Sequence, residues 1–171
     1  MQIKNHIPNF ITLLNLFAGL LAIYYSMIDE LQFAGLMIFI AAIFDFFDGF
    51  AARLLNAKSA IGVQLDSLAD MVSFGVAPAF ILFRTIELAT EISGLSTWEY
   101  LPFIAFLIPI FSALRLAKFN IDEEQQTYFI GLPTPATAIL IASLPIMIMV
   151  CLVEHKGFYY DIVTNPLVLA G

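Results

Sequence analysis

The chain has 171 residues, short enough for one domain, and 61% of them are hydrophobic while only 12% are charged. With a mean hydropathy of +0.92, this composition excludes an ordinary soluble protein and indicates an integral membrane protein. The net charge of −7 and the lack of a basic arm argue against nucleic-acid binding, and a single cysteine, Cys151, excludes an internal disulfide.

Long apolar runs predict an all-α protein with five complete membrane-spanning helices, because about 20 apolar residues are needed to cross the hydrocarbon core as a helix. The predicted spans are Ile7–Met27, Leu31–Leu55, Ile61–Ile86, Tyr100–Lys118 and Leu132–Val153. A sixth run begins at Pro166 and stops at Gly171, so we expect an incomplete sixth helix. Residues 1–171 are expected to form one multi-pass transmembrane domain of the cell membrane.

The basic residues divide unevenly between the two sides of this topology. One side holds Lys4, Arg53, Lys58, Arg115 and Lys118, and the other holds Arg84 and Lys156. The positive-inside rule therefore predicts a cytoplasmic N-terminus. The acids of the outer loops, among them Asp29 and Glu87, are expected to be solvated surface charges.

Four aspartates fall inside the apolar runs, at one level of the membrane. Asp45 and Asp48 share one face of the second predicted helix, and Asp66 and Asp70 share one face of the third. Counted at about 1.5 Å per residue, Asp45, Asp70 and Arg115 all lie roughly 21 Å inward from the outer boundary. Since the hydrocarbon core is about 30 Å thick, this predicts a site in its inner third, open toward the cytoplasm.

Carboxylates at this depth need positive charge nearby, because an isolated one costs several kcal/mol. Oxygen ligands without histidine or cysteine suit Mg²⁺ or Mn²⁺, and a paired site can hold two ions. Gly49 and Ala52 beside the first pair, and Gly62 before the second, leave room for a diphosphate or let the helices pack closely. Beside four acids and Arg53, we favour the diphosphate.

Residues 45–70 read DFFDGFAARLLNAKSAIGVQLDSLAD, or D-x2-D-G-x2-A-R-x8-G-x3-D-x3-D. This pattern resembles the signature of the CDP-alcohol phosphatidyltransferases at every defined position. The resemblance implies a six-helix core, often a homodimer, that transfers a phosphatidyl group from a CDP-lipid to an alcohol and releases CMP.

The same resemblance implies roles for the residues of the motif. Asp45, Asp48 and Asp66 would be metal ligands, with Asp70 beside the metal as the general base. Contacts to the nucleotide diphosphate would come from Gly49, Ala52, Arg53 and Gly62.

Three further stretches resemble the phosphatidylserine synthase branch of the family: IPNFITLLNLFAGL, DSLADMVSFGVAPA, and RLAKFN followed by GLPTP. Ser67 follows the third aspartate, where phosphatidylglycerophosphate synthases typically carry proline. The expected substrates are therefore CDP-diacylglycerol and L-serine. Membrane lipids are expected to surround the protein. Arg115 is a candidate partner of the serine carboxylate, Asn120 or Ser67 can orient the amine, and Lys118 binds the acceptor or lipid phosphates.

Two other functions remain open at this point. The acceptor can be glycerol 3-phosphate or an inositol phosphate, or the acids can line the pathway of a metal or ion transporter. A transporter should distribute its acids across the membrane, whereas these lie near one side. The polar residues Asn9, Thr12 and Asn15 of the first helix can line the same cavity, but hydrogen bonding between helices is the more common role of such residues.

Overall fold

The computed structural model describes residues 6–55, 57, 59–93, 99–121 and 133–153, and these contain helices and no strand. The α-helices are α1 (His6–Met27), α2 (Leu31–Leu54), α3 (Ala60–Asp70), α4 (Ala77–Ser93), α5 (Leu107–Ile121) and α6 (Thr134–Val153). A π-helical segment, Met71–Val76, joins α3 to α4, and a 3₁₀ segment, Leu101–Phe106, leads into α5. The predicted all-α class is confirmed.

Four helical stretches within the described residues are long and apolar enough to cross a membrane: His6–Met27, Leu31–Leu54, Ala60–Glu91 and Leu101–Lys118. Thr134–Ile148 of α6 is a shorter apolar helix. The four long stretches confirm an integral membrane protein and match the first four predicted spans closely, whereas the fifth predicted span corresponds to the shorter helix. The predicted sixth helix at Pro166 lies outside the described residues.

The third span is longer than its apolar run, because the helix continues from the predicted end at Ile86 as far as Ser93. Beyond Ile86 the residues are more polar, but a backbone hydrogen-bond ladder does not depend on apolar side chains. Thr90 also donates its hydroxyl to the Glu87 carbonyl at 2.7 Å, and Ala89 is buried. The apolar run thus ends before the helix does.

The interior of the bundle is built largely from small residues, while many of the large apolar side chains face outward. Buried alanines occur on nearly every helix: Ala18 and Ala22, Ala34 and Ala41, Ala77, Ala138 and Ala142. On the outer surface, Phe10, Phe17 and Phe46 each expose more than half of their area. This distribution suits helices surrounded by lipid, since small residues let the backbones approach one another.

Two glycines mark the closest crossings. A Cβ on Gly19 of α1 would lie 2.8 Å from Cα of Ser73, and one on Gly35 of α2 would lie 2.5 Å from the carbonyl oxygen of Ala142. Backbone atoms stand in the way at both positions, so a larger residue would have to move a whole helix. Gly19 therefore fixes α1 against the π segment, and Gly35 fixes α2 against α6.

The α1–α2 turn is tied to α4 by charged groups. Asp29 occupies the left-handed region at φ 63°, a conformation that Asp tolerates better than most residues. Its carboxylate accepts hydrogen bonds from Nε of Arg84, at 2.8 Å, and from Nη2, while Nη1 of Arg84 donates to Glu87. The expectation that Asp29 and Glu87 are merely solvated was therefore wrong, because Arg84 reaches both.

We predict that Gly19→Ala and Gly35→Ala destabilise the protein, although alanine favours a helix by about 0.5–1 kcal/mol. Forcing an extra methyl into a packed crossing costs typically 1–3 kcal/mol and more against backbone. Thermal unfolding in detergent is the measurement. Gly49→Ala is the matched control, because the nearest atom to its added Cβ is 3.9 Å away. Unchanged melting temperatures for Gly19→Ala and Gly35→Ala would contradict these crossings.

Candidate active site

Three of the four predicted aspartates meet at one point between α2 and α3. Asp45, Asp48 and Asp66 each place one carboxylate oxygen within 4.8 Å of the other two. Asp45 and Asp48 are one helical turn apart on α2, so both side chains leave the same face toward α3. The two helices therefore bring together acids that are separated by up to 21 positions in the sequence.

The fourth aspartate, Asp70, lies next to this cluster rather than within the three-oxygen group. One turn beyond Asp66, it contacts the carboxyl group of Asp45. Its Oδ1 accepts a hydrogen bond from Nδ2 of Asn15 at 3.3 Å. Asp70 is thus held at the edge of the cluster, and its role as general base stays a prediction.

The first helix contributes a polar stripe to this cavity, although hydrogen bonding between helices was the interpretation that the sequence favoured. The hydroxyl of Thr12 donates to the Pro8 carbonyl at 3.1 Å and is close enough to Asp48 to interact with its carboxylate. A Cβ on Gly62 would lie 3.0 Å from Oδ1 of Asn9. Together with Asn15, these residues show that α1 forms a wall of the site, and their i, i+3, i+6 spacing was the signal.

The donor set fits a hard divalent cation. Asp48 is 5% exposed, and its Oδ2 has no hydrogen-bond partner among the described residues. A buried carboxylate oxygen is costly to leave unpaired, and three carboxylates this close repel one another. Asp45, Asp48 and Asp66 can therefore hold Mg²⁺ or Mn²⁺, whose preferred ligands are oxygens of this kind.

The two predicted diphosphate glycines differ in their surroundings. Around Gly49, apart from its own helix backbone and its chain neighbours, the one described atom within 4 Å of an added Cβ is Nη2 of Arg53, at 3.9 Å, so no other described helix packs there. Gly62 is tighter, since Asn9 and Ser59 side chains lie 3.0 Å from its added Cβ. Close helix packing therefore explains Gly62 but not Gly49, whose backbone is open to a ligand.

Arg53 and Ala52 lie at the same end of α2. The Arg53 side chain is exposed, and its Nε donates to the carbonyl of Gly49 at 3.0 Å. This bond places the guanidinium over the open backbone next to Asp48. Ala52 is half-buried one turn beyond Asp48.

Arg115 is brought to the level of Asp70 by the register of α5. Three contacts pair the two chain segments in antiparallel order: Phe83 with Phe103, Phe80 with Phe106, and Gly75 with Ser112. Continuing this order by three residues, about one helical turn, sets Arg115 opposite Val72, two residues from Asp70. The predicted convergence of three helices at one depth stays a prediction.

The remaining acceptor candidates lie nearby in sequence. Ser67 is half-buried beside Asp66, and its hydroxyl donates to the Val63 carbonyl at 3.2 Å. Lys118 is exposed one turn after Arg115. The side chain of Asn120 lies outside the described part of the chain.

An apolar groove of about 330 Å³ lies on α2 at the level of the acids. Its lining is Ile11, Phe44, Phe47, Phe50, Ala51, Leu54 and Leu55. Phe44 and Phe47 are the immediate neighbours of Asp45 and Asp48 in sequence, so the groove and the acid cluster share one stretch of α2. A ligand with a charged head and an apolar tail would find both environments here.

Comparison with known proteins decides the family, since the model for CDP-alcohol phosphatidyltransferase matches residues 5–168. The chain belongs to this family. The resemblance read from the motif is thereby confirmed.

Several curated members of the family named CDP-diacylglycerol–serine O-phosphatidyltransferase are similar to this chain. The one from Bacillus subtilis (strain 168) is 44% identical over 135 residues, covering 77% of this chain and 70% of the relative. That from Helicobacter pylori (strain ATCC 700392 / 26695) is 32% identical over 165 residues, with 95% and 64% covered. That from Methanocaldococcus jannaschii is 38% identical over 135 residues, with 79% and 58% covered. The chain thus spans less than two thirds of the last two.

We predict that Asp66→Asn and Asp70→Asn separate metal binding from proton transfer. Asp66→Asn should weaken Mn²⁺ binding by a hundredfold or more, since losing even a group that only supports a ligand costs about 10- to 100-fold. Asp70→Asn should bind Mn²⁺ and CMP nearly as the unmodified protein does but lose turnover. Titration of Mn²⁺ by electron paramagnetic resonance measures the first effect, and CMP release measures the second. Equal loss of Mn²⁺ in both variants would refute the distinction, and Asp29→Asn, at the opposite end of the bundle, is the control.

Proposed function

We propose that this protein transfers the phosphatidyl group of CDP-diacylglycerol to the hydroxyl of L-serine, giving phosphatidylserine and CMP. The observation that carries the proposal is the meeting of Asp45, Asp48 and Asp66 within 4.8 Å, with Asp70 beside them, inside membrane-spanning helices. The names of the relatives support serine as the acceptor.

The site separates the tasks that such a transfer requires. The three clustered aspartates hold the metal, and the open backbone at Gly49 with Arg53 above it admits the diphosphate. Two ions of Mg²⁺ or Mn²⁺ bind in our proposal. When bound, they supply positive charge that balances the negative charge of the diphosphate and of the departing CMP. Ala52 completes the surface toward the nucleotide in this proposal, whereas Gly62 serves the close approach of α1 and α3.

Asp70 acts as the general base in this proposal. Its carboxylate takes the proton of the serine hydroxyl. The serine oxygen forms a bond to the phosphorus that carries diacylglycerol, and the bond from this phosphorus to the diphosphate bridging oxygen breaks. CMP leaves with the electron pair. Asp70 suits this task because it stands outside the three-oxygen group while remaining in contact with Asp45.

The apolar groove beside the acids suits the lipid part of the substrate. Its aromatic and aliphatic lining lies on the same stretch of α2 as Asp45 and Asp48. A lipid that enters from the membrane can keep its chains in apolar surroundings while its diphosphate reaches the metal. We propose that this groove receives the diacylglycerol chains near the glycerol.

The site opens toward the cytoplasm in our proposal. Arg53, Arg115 and Lys118 lie at the helix ends nearest the acids, whereas Arg84 pairs with Asp29 at the opposite end of the bundle. An excess of basic residues marks the cytoplasmic side of membrane proteins. The implied homodimer stays a prediction.

An acceptor panel tests the function. Purified protein with CDP-diacylglycerol and Mg²⁺ or Mn²⁺ should release CMP at least about a hundredfold faster with L-serine than with glycerol 3-phosphate or an inositol phosphate, because a site that binds polar groups rejects acceptors that leave those groups unpaired. Release of CMP with another acceptor and none with serine would refute the proposal. Metal flux into proteoliposomes without CMP release would point to transport instead.

Arg115→Lys should raise KM for serine roughly tenfold and leave KM for CDP-diacylglycerol within about twofold. A guanidinium binds a carboxylate through two parallel hydrogen bonds, which an ammonium cannot reproduce. Steady-state kinetics with each substrate varied in turn measures both constants. Lys118→Arg, at an exposed position one turn away, provides a comparison, and an unchanged serine KM in Arg115→Lys would remove Arg115 from the acceptor site.

A further inference from the structure

Asn15 has the most enclosed polar side chain bordering the site. It is 0% exposed, in the middle of α1. Its Nδ2 donates to Oδ1 of Asp70 at 3.3 Å, and its backbone carbonyl accepts a hydrogen bond from the Ser73 hydroxyl at 3.0 Å. Asn15 is therefore bound to the third span through its side chain, by Asp70, and through its backbone, by Ser73.

This clamp fixes the direction of the carboxamide. Ser73 lies on the π segment directly after Asp70, where α1 crosses closely at Gly19. Because the same chain segment binds both the backbone and the side chain of Asn15, the carboxamide cannot turn away from Asp70 without losing a buried hydrogen bond.

The other end of the carboxamide is not satisfied. Oδ1 of Asn15 is buried and has no hydrogen-bond partner among the described residues. Buried polar atoms of native proteins are nearly always hydrogen-bonded, and one that is not points to a bound group. Nδ2 and Oδ1 are bonded to the same carbon. Because Nδ2 contacts Asp70, Oδ1 also lies close to the proposed base.

We propose that Oδ1 of Asn15 accepts a hydrogen bond from the ammonium of serine while Nδ2 of the same carboxamide orients Asp70 toward the serine hydroxyl. The inference rests on the proposed function. The ammonium and hydroxyl of serine stand on adjacent carbons, and Asn15 and Asp70 present two acceptors side by side. Asn15 thereby selects an amino alcohol over acceptors without an amine.

A metal role for Asn15 is less consistent with its place. The three oxygens that lie within 4.8 Å of one another belong to Asp45, Asp48 and Asp66, and Asn15 touches Asp70, the acid outside this group. The carboxamide therefore contacts the proposed base rather than the proposed metal ligands.

Asn15→Leu, which keeps the approximate size but removes both polar atoms, tests the proposal. KM for serine should rise at least tenfold and kcat should fall, while binding of CDP-diacylglycerol and of Mn²⁺ should stay within about threefold, since binding energy is lost only where a contact is lost. An unchanged serine KM, or a loss of Mn²⁺ binding comparable with that of Asp66→Asn, would overturn the proposal. A uniform loss of both substrates would assign Asn15 a structural role and overturn it as well.

Selectivity for the amine gives a second readout. The preference of the protein for L-serine over 3-hydroxypropionate, which lacks the ammonium, is measured by competition in wild type and variant. The preference should shrink at least tenfold in Asn15→Leu, and an unchanged preference would overturn the ammonium contact.

Folding is controlled on the same helix. Ser26→Ala removes another fully buried polar group of α1, whose hydroxyl donates to the Ala22 carbonyl at 2.8 Å, and should leave all constants unchanged. If Asn15→Leu does not fold, Asn15→Ala replaces it, with the same selective loss expected. Wild-type protein that releases no CMP with serine rejects the proposed function. If wild-type protein releases CMP with serine and the Asn15 variant has an unchanged KM for serine, only the role of Asn15 is rejected and the proposed function stands.

Discussion

The close crossing of α1 and the π segment determines the shape of the site. Gly19 has no side chain to hold the helices apart, so Ser73 reaches the carbonyl of Asn15, and the carboxamide of Asn15 reaches Asp70. In a membrane the solvent does not drive helices together, and such contacts depend on close packing and on hydrogen bonds between helices. The alignment of Asp70, the proposed base, therefore depends on the absence of a side chain at Gly19 of α1.

The acids lie in an environment that would expel them unless cations were bound. Three carboxylates within 4.8 Å repel one another, and one oxygen of Asp48 is buried without a partner among the described residues. Such an arrangement sacrifices stability for affinity. The apolar groove on the same stretch of α2 fits a site inside the membrane, where the proposed lipid substrate is found. The position of the site inside the membrane therefore both raises the electrostatic cost of the acids and gives a lipid access to them.

Much of the fold and site follows from the sequence, because two signals act over short distances. Apolar run length predicted the spans, and the spacing of Asp45, Asp48 and Asp66 predicted the cluster, since helical periodicity fixes which side chains share a face. The π segment was not predicted, because an extra residue in a turn is imposed by tertiary packing rather than by a local pattern. The contact of Asn15 with Asp70 and that of Arg84 with Asp29 also depend on the neighbouring helix. The hydropathy of a residue does not predict which residue it will pair with.

The π segment has a further consequence for how this helix can change over evolution or in a chimera. A π turn contains an additional residue, and each residue of an α-helix advances the side chains by about 100°. The third span therefore consists of two helices of different phase, one carrying Asp66 and Asp70, the other packing through Ile81 and Ile86. Substitutions within either half preserve that phase, whereas an insertion or deletion in this segment that the π turn does not absorb would rotate the acids away from α2, even though all remaining residues were unchanged. Length is thus a more stringent constraint than composition in this short segment.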